Sequence, residues 1–298
     1  MIMRRQFLQW AGVGLAAGLV PGYSRAWAAG APEPAEAGPD WAMLERASGG
    51  RLGVCLIDSG SGRRWGHRQE ERFPMCSTFK FLLVAAVLQQ VDQGRMALTQ
   101  RVPIRQEDMI AHAPVTEKYV GRGLNVGELC RATMIWSDNP AANLLLPLVG
   151  DPAGLTAFLR ATGDSVTRSD RNEPTLNLFS PDDPRDTTTP AAMAVNLQRL
   201  VLGTVLSPAS RRILARWLID NRTGGHRLRA GLPSGWTVGD KTGSNGTDTT
   251  NDIAVIWPGH GRAPFLLASY LQGASVDAAA RDDTLRQVAV LAAGPMAR

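Results

Sequence analysis

From Phe79 to Val91 the chain is apolar almost without interruption and contains neither Gly nor Pro. At 3.6 residues per turn this is roughly three and a half turns of helix. A helix that is apolar on every side leaves no face for water, so other elements must enclose it. The segment therefore demands a sizeable core, and a chain of 298 residues can build one. Hydrophobic residues at 44% and charged residues at 20% are ordinary globular values, which exclude a disordered chain or a multi-span membrane protein.

Around this helix the punctuation suggests an α+β architecture. Val126–Trp136 reads as a second helix. Three further helix starts place a polar residue before proline: Asp151-Pro152, Thr189-Pro190 and Ser207-Pro208. Their helices are predicted to run to Thr162, Leu202 and Asp220. Leu52–Asp58, Trp236–Lys241, Asp252–Trp257 and Pro264–Leu271 read as strands, and Ser275–Ala293 as a closing helix. One early strand, many central helices and three late strands imply a three-layer fold. An antiparallel sheet is flanked by helices, with an all-helical subdomain over roughly 77–220 inserted between the sheet segments. Trp136 and Trp236 are expected in the core. Gly163–Thr189 is polar and proline-containing, too long for an idle connection, and is read as a folded omega-type loop.

The N-terminus reads as an address. Arg4-Arg5, the apolar run from Trp10 to Pro21 and Ala26-Trp27-Ala28 follow the pattern of a cleaved export signal, with a twin-arginine-like start. The apolar run falls short of the ~20 residues that span a bilayer. The expected organisation is a signal over 1–28, a disordered lead-in over 29–38 and a single catalytic domain over 39–298. Losing Arg4, Arg5 and Arg25 lowers the formal charge from +5 to +2. No Lys/Arg cluster or aromatic-interleaved stripe then supports nucleic-acid binding. The three cysteines and four histidines are scattered without metal-binding spacing, so neither a metal nor another cofactor is expected.

Ser77-Thr78-Phe79-Lys80 opens the apolar helix. Positions i and i+3 share a helix face, so the Lys80 amine can reach the Ser77 hydroxyl and activate it. Alone this pattern recurs about once in a chain of this length and could mark a solvated helix start. Ser137-Asp138-Asn139 follows a helix and could equally be a cap. Lys241-Thr242-Gly243 could be an ordinary strand end. The three in this order form the S-x-x-K, S-D-N and K-T-G set.

With these motifs the chain resembles a class A serine beta-lactamase from about residue 40 to its C-terminus. Arg171-Asn172-Glu173-Pro174-Thr175-Leu176-Asn177, within the polar loop, matches the omega-loop context of that class. Arg63–Lys80 and Gly239–Pro258 are similar to its inducible extended-spectrum cephalosporinases. The resemblance implies a beta-lactamase/transpeptidase-like fold and hydrolysis of penicillins and cephalosporins by a monomer without stable membrane association. Ser77 would be the nucleophile. Lys80 or Glu173 would be the acylation base, and Ser137 the proton shuttle to the leaving nitrogen. Glu173 with Asn177 would activate the deacylating water. Asn139 would hold the substrate side-chain amide. Lys241, Thr242, Gly243, Ser244 and Arg227 would form the carboxylate and oxyanion side, with Lys241 a fixed positive charge. His112 stands at the place of an aromatic gate, or is simply an exposed loop residue. Arg171 and Asp186 would pair, and the Glu173–Pro174 bond would be cis.

Cys76 precedes the nucleophile, where carbapenem-hydrolysing members carry a half-cystine, but the partner position is Asn245. Cys130 would likewise face Val84, so three free, buried thiols are expected. A D,D-peptidase shares the three motifs, but Glu173 in its loop and the absence of an anchor argue against it. A one-turnover beta-lactam sensor would need a transmembrane segment.

Overall fold

The long apolar helix lies where its composition requires, with every residue from Phe79 to Leu88 buried. A computed structural model describes residues 38–297 of the chain. The expected signal at 1–28 and the lead-in up to residue 37 lie outside the described residues.

Five strands form one antiparallel sheet: β1 (Arg51–Asp58), β2 (Arg64–His67), β3 (Thr237–Ser244), β4 (Thr250–Trp257) and β5 (Phe265–Gln272). Their spatial order is β2-β1-β5-β4-β3. In β1 the six central residues are buried irrespective of parity, because the sheet is covered on both faces. Alternate side chains serve different cores. Cys55, Ile57, Ile253 and Val255 join the core around the apolar helix. Leu52, Val54, Leu56, Ala254 and Ile256 join a second core with Trp41, Leu285 and Val288.

The helices are α1 (Trp41–Ser48), α2 (Phe79–Asp92), α3 (Val126–Ile135), α4 (Asn139–Leu145), α5 (Asp151–Ala161), α6 (Pro190–Leu197), α7 (Pro208–Ile219) and α8 (Ala278–Ala297). α1 and α8 cover one face of the sheet, and the helices from α2 to α7 fall in the chain between β2 and β3. The sheet between two helical layers is the expected α+β arrangement. Among the described residues no single helix is long and apolar enough to cross a membrane.

Several expectations are corrected. β2 and α1 were not legible, so two early strands replace one. Thr189 and Ser207 cap α6 and α7 by accepting the N–H of Ala192 and Ser210. Asp151 does not act this way: α5 follows Gly150, no side chain caps it, and Asp151 takes φ 62°. α6 ends at Leu197, where a wider turn continues to Leu202. Trp136 is 42% exposed rather than core, whereas Trp236 is half-buried against the second core.

The Gly163–Thr189 segment folds back on itself with only a short 3-10 turn, Thr175–Asn177, and a two-residue pairing of Thr187–Thr188 with Phe73–Pro74. Its ends are tied by Asp186. One carboxylate oxygen accepts the N–H groups of Asp170 and Arg171, and the other meets Arg171 Nε at 2.6 Å. The Glu173–Pro174 bond is cis.

Candidate active site

Ser77 sits in a single 3-10 turn, Cys76–Thr78, that feeds directly into α2. The preceding Cys76 takes φ 44°, a left-handed conformation that costs a non-glycine residue about 1–3 kcal/mol. The turn is held from β4, where Asn251 Nδ2 donates to the carbonyls of Pro74 and Met75. It is held also from β3. A Cβ on Gly243 would come within 2.8 Å of the Met75 carbonyl and 3.1 Å of the Ser77 nitrogen. The glycine of Lys241-Thr242-Gly243 is thus required by contact between strand and nucleophile turn, not by a strand-end bend.

Ser77 Oγ accepts from Lys80 Nζ at 2.9 Å and donates to Glu173 Oε1 at 3.2 Å. Lys80 is fully buried and also meets the Ser137 carbonyl at 2.8 Å, Asn139 Oδ1 at 2.5 Å and Glu173 Oε1 at 3.0 Å. Burial pushes the Lys80 ammonium below its ordinary pKa, while the Glu173 carboxylate beside it pulls back upward. A neutral Lys80 can spend its two N–H groups on the Ser137 carbonyl and Asn139, which leaves its lone pair for Ser77.

Ser137 follows α3 and takes φ 58°. The next residue, Asp138, caps α4 through the Ala141 N–H and receives the Val115 and Thr116 N–H groups. The capping and functional readings of Ser137-Asp138-Asn139 therefore coincide. Ser137 Oγ accepts from Lys241 Nζ at 3.0 Å.

Lys241 is fully buried, and its amine donates to Ser137 Oγ and the Thr242 carbonyl. Burial, reinforced by Lys80, pushes its pKa well down. Ser137 and Thr242, the two residues it bonds, both line the cavity. Arg227 does line the cavity, held by Asp282 of α8 at 2.7 Å and by the Gly243 and Asn251 carbonyls.

The cavity encloses about 300 Å³ and brings together Ser77, His112, Ser137, Asn139, Glu173, Asn177, Arg227, Thr242, Gly243 and Ser244. Glu173 is buried and clamped by Asn143 of α4, which binds its N–H at 3.0 Å and its carbonyl at 2.9 Å. Asn177 Nδ2 donates to Glu173 Oε2 at 2.8 Å, whereas Asn177 Oδ1 is buried without a partner among the described residues. His112 takes φ 64°; its ring Nε2 lies 2.9 Å from the Trp136 carbonyl. Ser244 Oγ donates to the Thr249 carbonyl. Asn245, at the position of the absent half-cystine, pins the turn after β3 by accepting three backbone N–H groups from Thr247, Asp248 and Thr249. Cys55, Cys76 and Cys130 are free and buried.

Thr223, Asn143, Asn251 and Asp282 were not anticipated. Only Asn143 carried a signal, four residues after Asn139 and hence on the same helix face.

The model of the beta-lactamase enzyme family matches residues 40–293. The chain belongs to the beta-lactamase enzyme family. It is 55% identical to beta-lactamase L2 of Stenotrophomonas maltophilia over 298 residues, covering 98% of each chain. Against beta-lactamase CTX-M-8 of Citrobacter amalonaticus the identity is 49%, over 83% of this chain and 85% of the relative. Among solved structures, a beta-lactamase from Xanthomonas campestris aligns with a TM-score of 0.84 at 66% identity. It covers 84% of this chain and 94% of its own. An ancestral class A beta-lactamase aligns with a TM-score of 0.84 at 59% identity, over 85% and 97%. This is therefore a class A serine beta-lactamase, a hydrolase whose activity confers beta-lactam resistance.

Proposed function

We propose that the enzyme opens the lactam ring of penicillins and cephalosporins through an acyl-enzyme on Ser77, then hydrolyses that ester with water held by Glu173 and Asn177. The observation that carries this reading is the pairing of functions in one cavity. Ser77 Oγ contacts both Lys80 and Glu173, and Glu173 is joined to Asn177, whose unpartnered Oδ1 can accept from a water. A one-turnover sensor needs only the first half of that set.

In acylation the Ser77 proton has two outlets, Lys80 and Glu173, as Ser77 Oγ attacks the lactam carbonyl. The oxyanion is received by the backbone N–H groups of Ser77 and Ser244, on the turn and strand that Gly243 lets approach. Ser137 Oγ accepts from Lys241, so its own proton is available to the departing ring nitrogen, and the proton taken from Ser77 returns to Ser137 through Lys80, whose Nζ lies 3.4 Å away. Thr242, Ser244 and Arg227 receive the substrate carboxylate, with Lys241 donating to the Thr242 carbonyl. Asn139 and His112 receive the acyl side chain. Glu173 then deprotonates a water that attacks the ester carbonyl, and Ser77 leaves with its proton restored.

The wall after β3, braced by Asn245 rather than a disulfide, supports cephalosporins over carbapenems. We further propose that residues 1–28 direct export to the periplasm by a twin-arginine-type route and that 39–298 act as one catalytic domain. The enzyme works as a monomer on small-molecule beta-lactams, without cofactor, nucleic acid or membrane attachment. Steady-state assay with a chromogenic cephalosporin, paired with intact-protein mass spectrometry, tests the reading. Sustained turnover with a transient adduct on Ser77 is expected; a stoichiometric adduct without turnover overturns it.

A further inference from the structure

The Thr223 and Thr242 hydroxyl oxygens lie 2.5 Å apart on the cavity wall. At that separation one proton must lie between them, and the remaining partners decide which residue supplies it. Thr223 Oγ1 also donates to Asn221 Oδ1 at 2.9 Å. The Asn221 amide cannot be turned over. Its Nδ2 donates to Asp240 Oδ2 at 2.8 Å, and its Oδ1 accepts the Thr223 N–H at 3.1 Å. Asn221 thus offers Thr223 only an acceptor, and the single Thr223 hydroxyl proton is committed to it. Thr242 therefore donates to Thr223. In this state the Thr242 oxygen has only lone pairs to turn toward the cavity, which repels a carboxylate.

We propose that Thr223 is a positioning residue that reverses the polarity of this hydroxyl pair when an anionic substrate enters. The inference rests on the reading of Thr242 as a donor to the substrate carboxylate. Thr242 turns its proton to the carboxylate, and Thr223 turns its own proton from Asn221 to Thr242. Asn221 Oδ1 keeps the Thr223 N–H, so no buried polar atom loses its last partner. Thr242 then accepts one hydrogen bond while donating another, which strengthens its donation. Two O–H rotations accomplish the change, and no heavy atom has to move. Without the Thr223 hydroxyl, Thr242 meets the carboxylate unpolarised and without a fixed rotamer.

The test compares a cephalosporin with its methyl ester in wild type, Thr223→Val, Thr223→Ser, Thr242→Val and the Thr223→Val/Thr242→Val double variant. Thr223→Val is expected to raise KM for the free acid about two- to threefold, because the Thr242–carboxylate hydrogen bond remains and only its cooperative strengthening is lost, with kcat unchanged. The ester should show no such rise, Thr223→Ser should restore the wild-type KM, and Thr223→Val should add nothing in the Thr242→Val background. Equal effects on acid and ester, or additive effects in the double variant, overturn the relay in favour of a packing role. If Thr242→Val raises KM but Thr223→Val does not, the relay alone falls. If Thr242→Val leaves the acid's KM unchanged, the carboxylate reading of Thr242 falls, and the relay with it.

Discussion

At the scale of single residues the site is a problem of proton supply, and its donors are tightly counted. Glu173 takes the Ser77 proton contact and the Asn177 amide at once. Glu173→Gln keeps the shape but removes the base for water. We expect acylation to persist, acyl-enzyme to accumulate and kcat to fall about 10²–10⁴-fold, read by a stopped-flow burst and intact mass. Turnover at the wild-type rate would remove Glu173 from that role. Gly243 makes a second case, since a Cβ there meets the Met75 carbonyl and the Ser77 nitrogen. Gly243→Ala should therefore separate strand from nucleophile turn and lower kcat/KM at least about 10²-fold, the cost of a roughly 1 Å misplacement. Most of the site was legible because its residues fall in three short motifs and one loop heptapeptide. Thr223 was not legible: a lone threonine after a helix has no pattern, and only the return of β3 brings Thr242 to it. The burial of Lys241 was equally invisible, because sequence reports a charge but not what packs around it.

At the scale of elements, legibility follows how far local composition decides the outcome. α2 could be read because nothing but a core can accept it, and β1, β4 and β5 because their apolar runs are continuous. β2 is four residues long, partly exposed and rich in Arg, His and Gly; pairing with β1, from Val54↔His67 to Ile57↔Arg64, makes it a strand. The omega loop was legible as an anomaly, and the structure shows what holds it. Asp186 satisfies two backbone N–H groups and pairs with Arg171 while nearly excluded from water. Asp186→Ala should thus cost more than Arg171→Ala, because it leaves two partly buried backbone N–H groups without their acceptor as well as the Arg171 Nε. We expect about 3–5 kcal/mol for the former and less for the latter, measured by urea unfolding. In both variants deacylation should suffer more than acylation, since the loop carries Glu173 whereas Ser77 stands on the turn that precedes α2. Equal losses in the two half-reactions would contradict that division.

At the scale of the whole molecule, two cores share one sheet, and titratable groups were buried in each only where partners or neutrality permit. Burial pushes the Cys55 thiol up to about 12 and those of Cys76 and Cys130 further still. A thiol reagent should accordingly find none of them in the native enzyme and all three after denaturation. Toward acid the decisive group is Glu45, the carboxylate of α1 that gathers Arg68, His67 and the Leu52 N–H. Burial alone would raise it, but the hydrogen bonds and charge of Arg68, with the other two donors, hold it at about 2. Its folded value lies below the ordinary carboxylate value of 4.5, so the stabilisation is complete above pH ~4.5 and is lost as pH falls toward 2. Asp92, Asp164 and Asp170 are lowered likewise by their hydrogen-bond donors against the pull of burial, and act in the same direction. Asp240 and Asp252 are raised by burial, so protonating them in acid opposes the trend. Glu45 is the one of these carboxylates that links α1 to both β1 and β2, so its protonation near pH ~2 should loosen that face of the sheet. Glu45→Gln should lower the urea midpoint at pH 7 and flatten its decline between pH 5 and 2.5. A parallel, merely displaced pH profile would show that Glu45 is not the group being titrated.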